Sequence, residues 1–316
     1  MDTNRIAVTI NHNKSNTSSI VYVKNLELIA AILNADIYYR NTFKFKEDIY
    51  KQYDIFIVGN GTFITGDNNY HEMYKNNKNA KYIAVLNDYN ISVDGGFDYA
   101  MRHHLKQKYD IISNFEYKKL PILCDQHYLI DLNYLIYNDN YTTETKKNLF
   151  LYERLDNLLY YGTFRKNRIQ YFREYLNDEN IIISTSDRSR KKFQELNLKC
   201  QYIPSLKWAS NELKLFKYSL YIEDVYTHTY FNHMANRFYE CVNNDVVLFF
   251  DKNCKKTINR SNLIIDDYFY IESFQAVKYK LHDYNNLIVQ QANFKEYCVR
   301  QKNDAIKKIR NIFASC

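Results

Sequence analysis

The sequence has no CxxC pair, no run approaching the ~18 apolar residues of a membrane span, and no concentrated block of charge. Its six cysteines (Cys124, Cys200, Cys241, Cys254, Cys298 and Cys316) share no spacing, which argues against a cysteine-pair zinc framework and a small disulfide scaffold. Met1-Asp2-Thr3-Asn4-Arg5 runs straight into a strand-like segment without the apolar region of a secretory signal, so a reduced, cytosolic setting and no membrane partner are expected. Charge of one sign is also short. With 43 basic and 36 acidic residues the net charge is +7, enough to help approach a polyanion but less concentrated than in a dedicated nucleic-acid binder. One Trp stands against 32 Tyr and 19 Phe. Because Asn, Lys and Ile are abundant too, the Tyr excess reads as the mark of an AT-rich genome and does not by itself indicate a base-stacking surface.

A chain of 316 residues, 46% hydrophobic, suits two domains that each bury a core. Short apolar strands are predicted at Ile6–Ile10, Ile37–Tyr39, Ile55–Val58 and Tyr82–Leu86. A polar loop (11–19) and a helix with Leu26, Ile29, Ala30 and Leu33 at i, i+3, i+4, i+7 follow the first strand. Residues 138–150 turn polar and read as a connection. Beyond them the pattern returns, with strands at Leu158–Tyr161, Ile181–Ser184, Leu220–Ile222 and Val246–Phe250, and a helix from about Tyr230 to Val242. Strands alternating with helices predict an α/β protein with parallel sheets. The expected division is an N-terminal Rossmann-like domain (1–145), a C-terminal Rossmann-like domain (146–295) and a basic C-terminal helix (296–316). In such open sheets ligands sit beyond the carboxyl ends of the strands, so the residues just after the strands are the ones to inspect.

Gly162-Thr163-Phe164-Arg165 occupies such a position, with Arg168 about one turn on. Glycine allows close backbone approach, and two arginines with a helix amino terminus would suit a diphosphate. Taken alone the same residues more readily fit a helix-start turn carrying solvated arginines. In the later helix, His233, Arg237 and Glu240 lie at i, i+4, i+7, on a stripe apart from Phe231, Met234, Phe238 and Val242. Spacing alone leaves that stripe either a solvated, salt-bridged surface or an arginine and a carboxylate aimed at a ligand, where Glu accepts two ribose hydroxyls. Asp88, taken alone, reads as a turn or cap residue at a strand end. The run from Arg102 through Lys106 to Lys108 is either an exposed basic helix surface or a grip on duplex phosphates.

The run from Arg237 to Asp251 resembles the nucleotide-sugar-binding helix and following strand of the DNA β-glucosyltransferases of T-even bacteriophages, with their Arg-x-aromatic-Glu core and a strand ending in Asp. Gly162-Thr163-Phe164-Arg165 resembles their Gly-Ser-Phe-Arg phosphate loop. Tyr82 to Asp88 resembles the strand that ends in the catalytic Asp, and Arg5–Asn11 and Val58–Gly66 fit the first strand and an Asn-containing loop. Order and approximate spacing agree over nearly the whole chain. The resemblance implies a GT-B fold, two facing Rossmann-like domains with a cleft between them and a C-terminal helix (Asn293–Phe313) crossing back. It implies transfer of glucose from UDP-glucose to 5-hydroxymethylcytosine in duplex DNA with inversion. Asp88 becomes the general base, with Asp94 as the fallback. Gly162, Thr163, Arg165 and Arg168 would hold the diphosphate, although Arg168 stands one position nearer the glycine than the family pattern. Arg237 would contact the nucleotide, Glu240 the ribose, and Ile203–Lys207 would lie near the uracil. A slightly longer stretch between Asp224 and Arg237 leaves Asp224 without an assigned role. Arg102, Lys106 and Lys108 would face the DNA, whose target base must flip out to reach a buried carboxylate. No DxD follows a strand, Asp266-Asp267 reading as a turn before one, so Mg2+ or Mn2+ would be held mainly by the diphosphate. A monomer in the cytoplasm of an infected bacterial host is expected.

Overall fold

The computed structural model describes residues 4–10, 21–39, 51–59, 77–86, 109–113, 124–137, 153–206, 212–230, 234–261 and 263–314. The chain divides into two compact units, 1–136 with 301–316, and 137–300.

The first unit is built on one six-stranded sheet. Its strands are β1 (Ile6–Ile10), β2 (Asp36–Tyr39), β3 (Ile55–Gly59), β4 (Lys81–Leu86), β5 (Tyr109–Ser113) and β6 (Cys124–Leu129), in the order β2-β1-β3-β4-β5-β6 and parallel throughout. β1 and β3 read as near-continuous apolar runs because a parallel sheet is covered on both faces. Helix α1 (Val21–Leu33) lays Val23, Leu26, Ile29 and Ala30 on this sheet, all buried. It ends at Asn34, whose φ of 52° is the left-handed conformation that Asn tolerates, and the Ala35 amide returns to the Ala30 carbonyl. Ala305, Ile309 and Ile312, late in the chain, pack into the same core.

The second unit carries β7 (Leu155–Tyr161), α2 (Ile169–Tyr175), β8 (Ile181–Ser184), α3 (Asp187–Gln194), β9 (Gln201–Ile203), β10 (Phe216–Tyr221), α4 (Val225–Tyr230), α5 (Asn236–Asn243), β11 (Val247–Asp251), α6 (Lys255–Arg260), β12 (Tyr270–Ile271), α7 (Phe274–Lys280) and the start of the long α8 (Tyr284–Ala314), whose residues from 301 belong to the first unit. The strands form a parallel sheet in the order β12-β11-β10-β7-β8-β9. Counted from the first strand of the unit this is 6-5-4-1-2-3, the Rossmann order, whose direction reverses between β7 and β10. Among the described residues no helix is long and apolar enough to cross a membrane.

One predicted helix begins later than expected, after a separate short helix. Residues from Tyr230 to Val242 were expected to be continuous, but α4 ends at Tyr230 and α5 begins at Asn236. Ala235 is extended (φ −67°, ψ 156°), and its amide donates to the Tyr221 hydroxyl at 2.7 Å. That contact comes from a different strand, so no local sequence signal marks the break. His233 and Phe231 lie outside the described residues, and Met234 precedes α5, so the predicted stripe reduces to Arg237 and Glu240.

Candidate functional site

The reversal point of the second sheet lies between the carboxyl ends of β7 and β10; Gly162 follows directly on β7, and Glu223 lies two residues beyond the end of β10. Gly162 has φ +154°. A Cβ there would find ordinary contacts, 3.6 Å from the Tyr160 hydroxyl and 3.8 Å from Arg237 Nη1, so the backbone, more than the space, demands glycine. The loop is pinned on both sides. The Gly162 amide donates to the Ser184 carbonyl at 3.1 Å, and Thr185 Oγ1 donates to the Gly162 carbonyl at 2.6 Å. Phe164 is anchored among Phe172 and Phe193, and its amide donates to Ser189 Oγ at 3.1 Å. Thr163 and Arg165 are exposed beside it. The helix expected directly after this loop is delayed. Arg165 is extended, a 3-10 turn spans Lys166–Arg168, and only then does α2 begin.

Arg237 and Glu240 are each only 8% exposed, which eliminates the solvated-surface alternative for them. Arg237 does not pair with Glu240. Its Nη2 donates to Glu223 Oε1 at 3.2 Å, and its guanidinium carbon lies 5.1 Å from the Tyr160 ring centroid and 5.4 Å from that of Tyr221. Nε and Nη1 are buried with no hydrogen-bond partner among the described residues, and Nη1 is the atom beside Gly162. Although burial would lower the Arg237 pKa, the surrounding Tyr160 and Glu223 leave it raised, so the cation is secure. Glu240 accepts from the Tyr161 hydroxyl at 2.6 Å. Burial raises its pKa above the ordinary carboxylate value, and Tyr161 and Arg237 only partly offset that.

Arg168 has different surroundings from those the resemblance implies. It is buried and turned inward: Nη2 pairs with Glu223 Oε2, Nε and Nη2 each donate to Asp224 Oδ2 at 3.2 Å, and Nη1 reaches the Ile222 carbonyl at 3.3 Å. With its nitrogens engaged this way, it fixes the two acids. Asp224, for which the sequence pattern left no assigned role, accepts from Arg168 and caps α4 through the Thr227 amide at 3.0 Å. Glu223 was overlooked entirely, although its place just after a strand was a usable signal. Of the segment expected near the uracil, Ile203 ends β9 and the Leu206 amide donates to Ser184 Oγ at 2.9 Å, tying it to the residue whose carbonyl holds Gly162. Lys207 lies outside the described residues, as do Asp88, Asp94, Arg102, Lys106 and Lys108. Asp266 caps the 3-10 turn that leads into β12, matching the predicted turn before a strand.

No protein-family model matches the chain, and no curated protein matches it in sequence. Solved structures do. A DNA-modifying β-glucosyltransferase, solved with and without uridine diphosphoglucose, is 15% identical with a TM-score of 0.63 over 96% of this chain and 99% of that one. The T4 phage β-glucosyltransferase in complex with UDP and Mn2+ is 16% identical, with a TM-score of 0.58 over 98% and 97%. An α-glucosyltransferase in complex with UDP and a 13-mer DNA containing an HMU base is 12% identical, with a TM-score of 0.57 over 96% and 100%. Two parallel sheets, a Rossmann strand order in the second unit and a long C-terminal helix agree with these likenesses: the chain has the GT-B fold of the DNA-modifying glucosyltransferases.

Proposed function

We propose that this protein is a UDP-glucose-dependent glucosyltransferase acting on DNA, which moves glucose with inversion to the hydroxymethyl group of a 5-hydroxymethylcytosine-type base. The observation that carries the reading is Arg237, a buried guanidinium beside a positive-φ glycine at the strand-order reversal, with two nitrogens that have no hydrogen-bond partner among the described residues. A buried cation short of acceptors is satisfied by an anion, and the diphosphate of a sugar nucleotide is the anion this fold accommodates. The ligands named for the structural neighbours, UDP and uridine diphosphoglucose, are of the same kind.

In this reading Gly162 and Thr163 bring backbone close to the diphosphate, while Arg237 and the exposed Arg165 stabilise the charge that gathers on it as the sugar leaves. Glu240 accepts the ribose hydroxyls, oriented by Tyr161. Arg168 acts through Glu223 as a positioning residue. Glu223 and Asp224 are already engaged by arginines, so Mg2+ or Mn2+ would be held mainly by the diphosphate itself. A hydroxymethyl group is a weak nucleophile at neutral pH, and Asp88, by its resemblance to the family's strand-terminal Asp, takes its proton. Arg102, Lys106 and Lys108 hold the phosphates of a duplex whose target base is flipped out. The protein works as a monomer in the cytoplasm of a phage-infected bacterium.

The test is incubation with labelled UDP-glucose and a duplex containing 5-hydroxymethylcytosine. Label on the DNA with one UDP released per glucose is expected, and Asp88→Asn should abolish turnover while UDP still binds. Label on a different acceptor overturns the acceptor, and absence of UDP release with every acceptor overturns the transferase. A second reading keeps the fold and changes the acceptor or anomer. It is favoured by the near-equal likeness to an α-glucosyltransferase bound to HMU-containing DNA. An HMU duplex assayed in parallel, with the product anomer read by NMR, separates the two.

A further inference from the structure

Beside the arginine cluster, the second unit buries three metal-ligating side chains from three sequence positions. Asp251 ends β11, Cys254 closes the 3-10 turn that follows, and His228 lies in α4. An imidazole nitrogen, a carboxylate oxygen and the thiol sulfur all lie within 4.8 Å of one another, and the residues are 5%, 2% and 0% exposed in the order His228, Asp251, Cys254.

The three differ in how fully they are satisfied. His228 Nδ1 contacts Thr257 Oγ1 at 3.2 Å, and Nε2 is buried with no hydrogen-bond partner among the described residues. Asp251 accepts from the Tyr175 hydroxyl at 2.7 Å and from the Asn253 amide and side chain at 3.0 Å, but has no cationic partner among the described residues. Cys254 donates its thiol to the Tyr221 carbonyl at 3.5 Å and also has a backbone hydrogen bond at Glu223. Buried carboxylates are ordinarily paired with a cation or bound to a metal. The neighbouring charges do not supply one. Arg168 and Arg237 are spent on Glu223 and Asp224, so Asp251 leaves this region with more buried carboxylates than guanidiniums.

We propose that His228, Asp251 and Cys254 form a binding site for a divalent transition ion of the Zn2+ type. The nitrogen, oxygen and sulfur set suits a borderline-soft ion, whereas Mg2+ and Mn2+ prefer all-oxygen shells. Two donors three residues apart on one turn, with a third from a separate helix, is a common way to build such a site. Thr257, Tyr175 and Asn253 orient the ligands from behind. On binding, the Cys254 S–H bond breaks, the metal–sulfur bond forms, and the proton passes to solvent. The site is separate from any ion carried by the diphosphate, and its occupancy does not depend on nucleotide.

Co2+ added to chelator-treated, full-length protein is the direct probe. One equivalent should produce a thiolate-to-cobalt charge-transfer band with tetrahedral visible bands, Zn2+ should bleach both, and Mn2+ should not. Zn2+ should also raise the melting temperature without nucleotide. Cys254→Ser and His228→Gln should each weaken Co2+ binding by at least ~10-fold or abolish the band, while Cys200→Ser, at a thiol elsewhere in the unit, leaves it intact. Absence of a thiolate band in the wild-type protein overturns the site without reference to any variant. So does a band that survives Cys254→Ser.

Discussion

Arg168 and Arg237 share the Glu223 carboxylate, one through Oε2 and the other through Oε1, and they are about equally buried at 9% and 8% exposed. Their other contacts differ. Arg168 also takes both Asp224 and a main-chain carbonyl, whereas Arg237 keeps Nε and Nη1 without partners among the described residues, Nη1 lying beside Gly162. Desolvating a guanidinium is costly whether or not it is paired, and a fold that leaves half of one unsatisfied normally lets water reach it. Burial is therefore a poor guide to role here, and the count of unmet donors is a better one. The saturated arginine belongs to the scaffold, and the unsaturated one awaits an anion.

The sharpest way to break that distinction is to exchange the losses. Arg168→Met strips Asp224 of its cation and leaves Glu223 with Arg237 alone, and leaving the buried Asp224 carboxylate uncompensated should cost ~3–5 kcal/mol of folding stability. The denaturant midpoint should fall strongly, and a near-unchanged midpoint would mean Arg168 is not structural. Arg237→Lys keeps a charge near Glu223 but loses the fork. Affinity for UDP, read by titration calorimetry, should drop by about 10²-fold, the worth of one or two charge-assisted bonds at ~1.5–3 kcal/mol each. If stability fell more than binding did, the assignment of the two arginines would have to be reversed. Gly162→Ala comes next. The new methyl has room, but φ +154° is unfavourable for alanine, so a loss of ~1–3 kcal/mol is expected, with donor binding weakened as the loop relaxes.

Much of this was legible in the sequence, because the strands that carry the site are apolar runs ended by distinctive residues. Leu158–Tyr161 stops at a glycine, and Val246–Phe250 runs into Asp251, so both strand ends could be located from local pattern. Strands β9 and β12, of three and two residues, are too short for period to show, and the polar residues in Tyr109–Ser113 and Cys124–Leu129 hide β5 and β6. The Arg237–Glu240 spacing was visible, but not that Arg237 would choose Glu223, 14 residues away, over Glu240. That choice depends on the packing of α5 against β10, beyond whose end Glu223 lies, a non-local event. The convergence of His228, Asp251 and Cys254 escaped for the same reason. A search for cysteine pairs cannot find a site with one cysteine whose other ligands are a carboxylate and a distant imidazole.

Glu240 separates binding from stability by pH. Its pKa is raised by burial, so the carboxylate that accepts ribose hydroxyls is lost, as pH falls, earlier than an ordinary Glu would be. Donor KM should therefore rise on acidification, by about tenfold per pH unit below that raised pKa. Folding stability should move the other way for this group. Its ionised form is the one the fold disfavours, so protonation at the raised folded pKa relieves a penalty. Glu240→Gln should flatten the acid limb of the KM profile, and an unchanged limb would assign it to another group.

The smallest effect sharpens the comparison from outside the buried cluster. Arg165 flanks the same loop as Gly162 but is exposed, so its charge acts through water. At an effective dielectric near that of bulk water, a cation ~4 Å from a phosphate is worth about 1 kcal/mol, or roughly fivefold in affinity. Arg165→Ala should cost that much UDP binding at low salt, lose most of the difference at high ionic strength, and leave stability within ~0.5 kcal/mol of the parent. The Arg237→Lys deficit should persist in the same salt series, because little solvent or counter-ion reaches a guanidinium that is 8% exposed. If both deficits faded together with salt, Arg237 would be acting as a surface charge, and its burial would have no bearing on how the nucleotide is held.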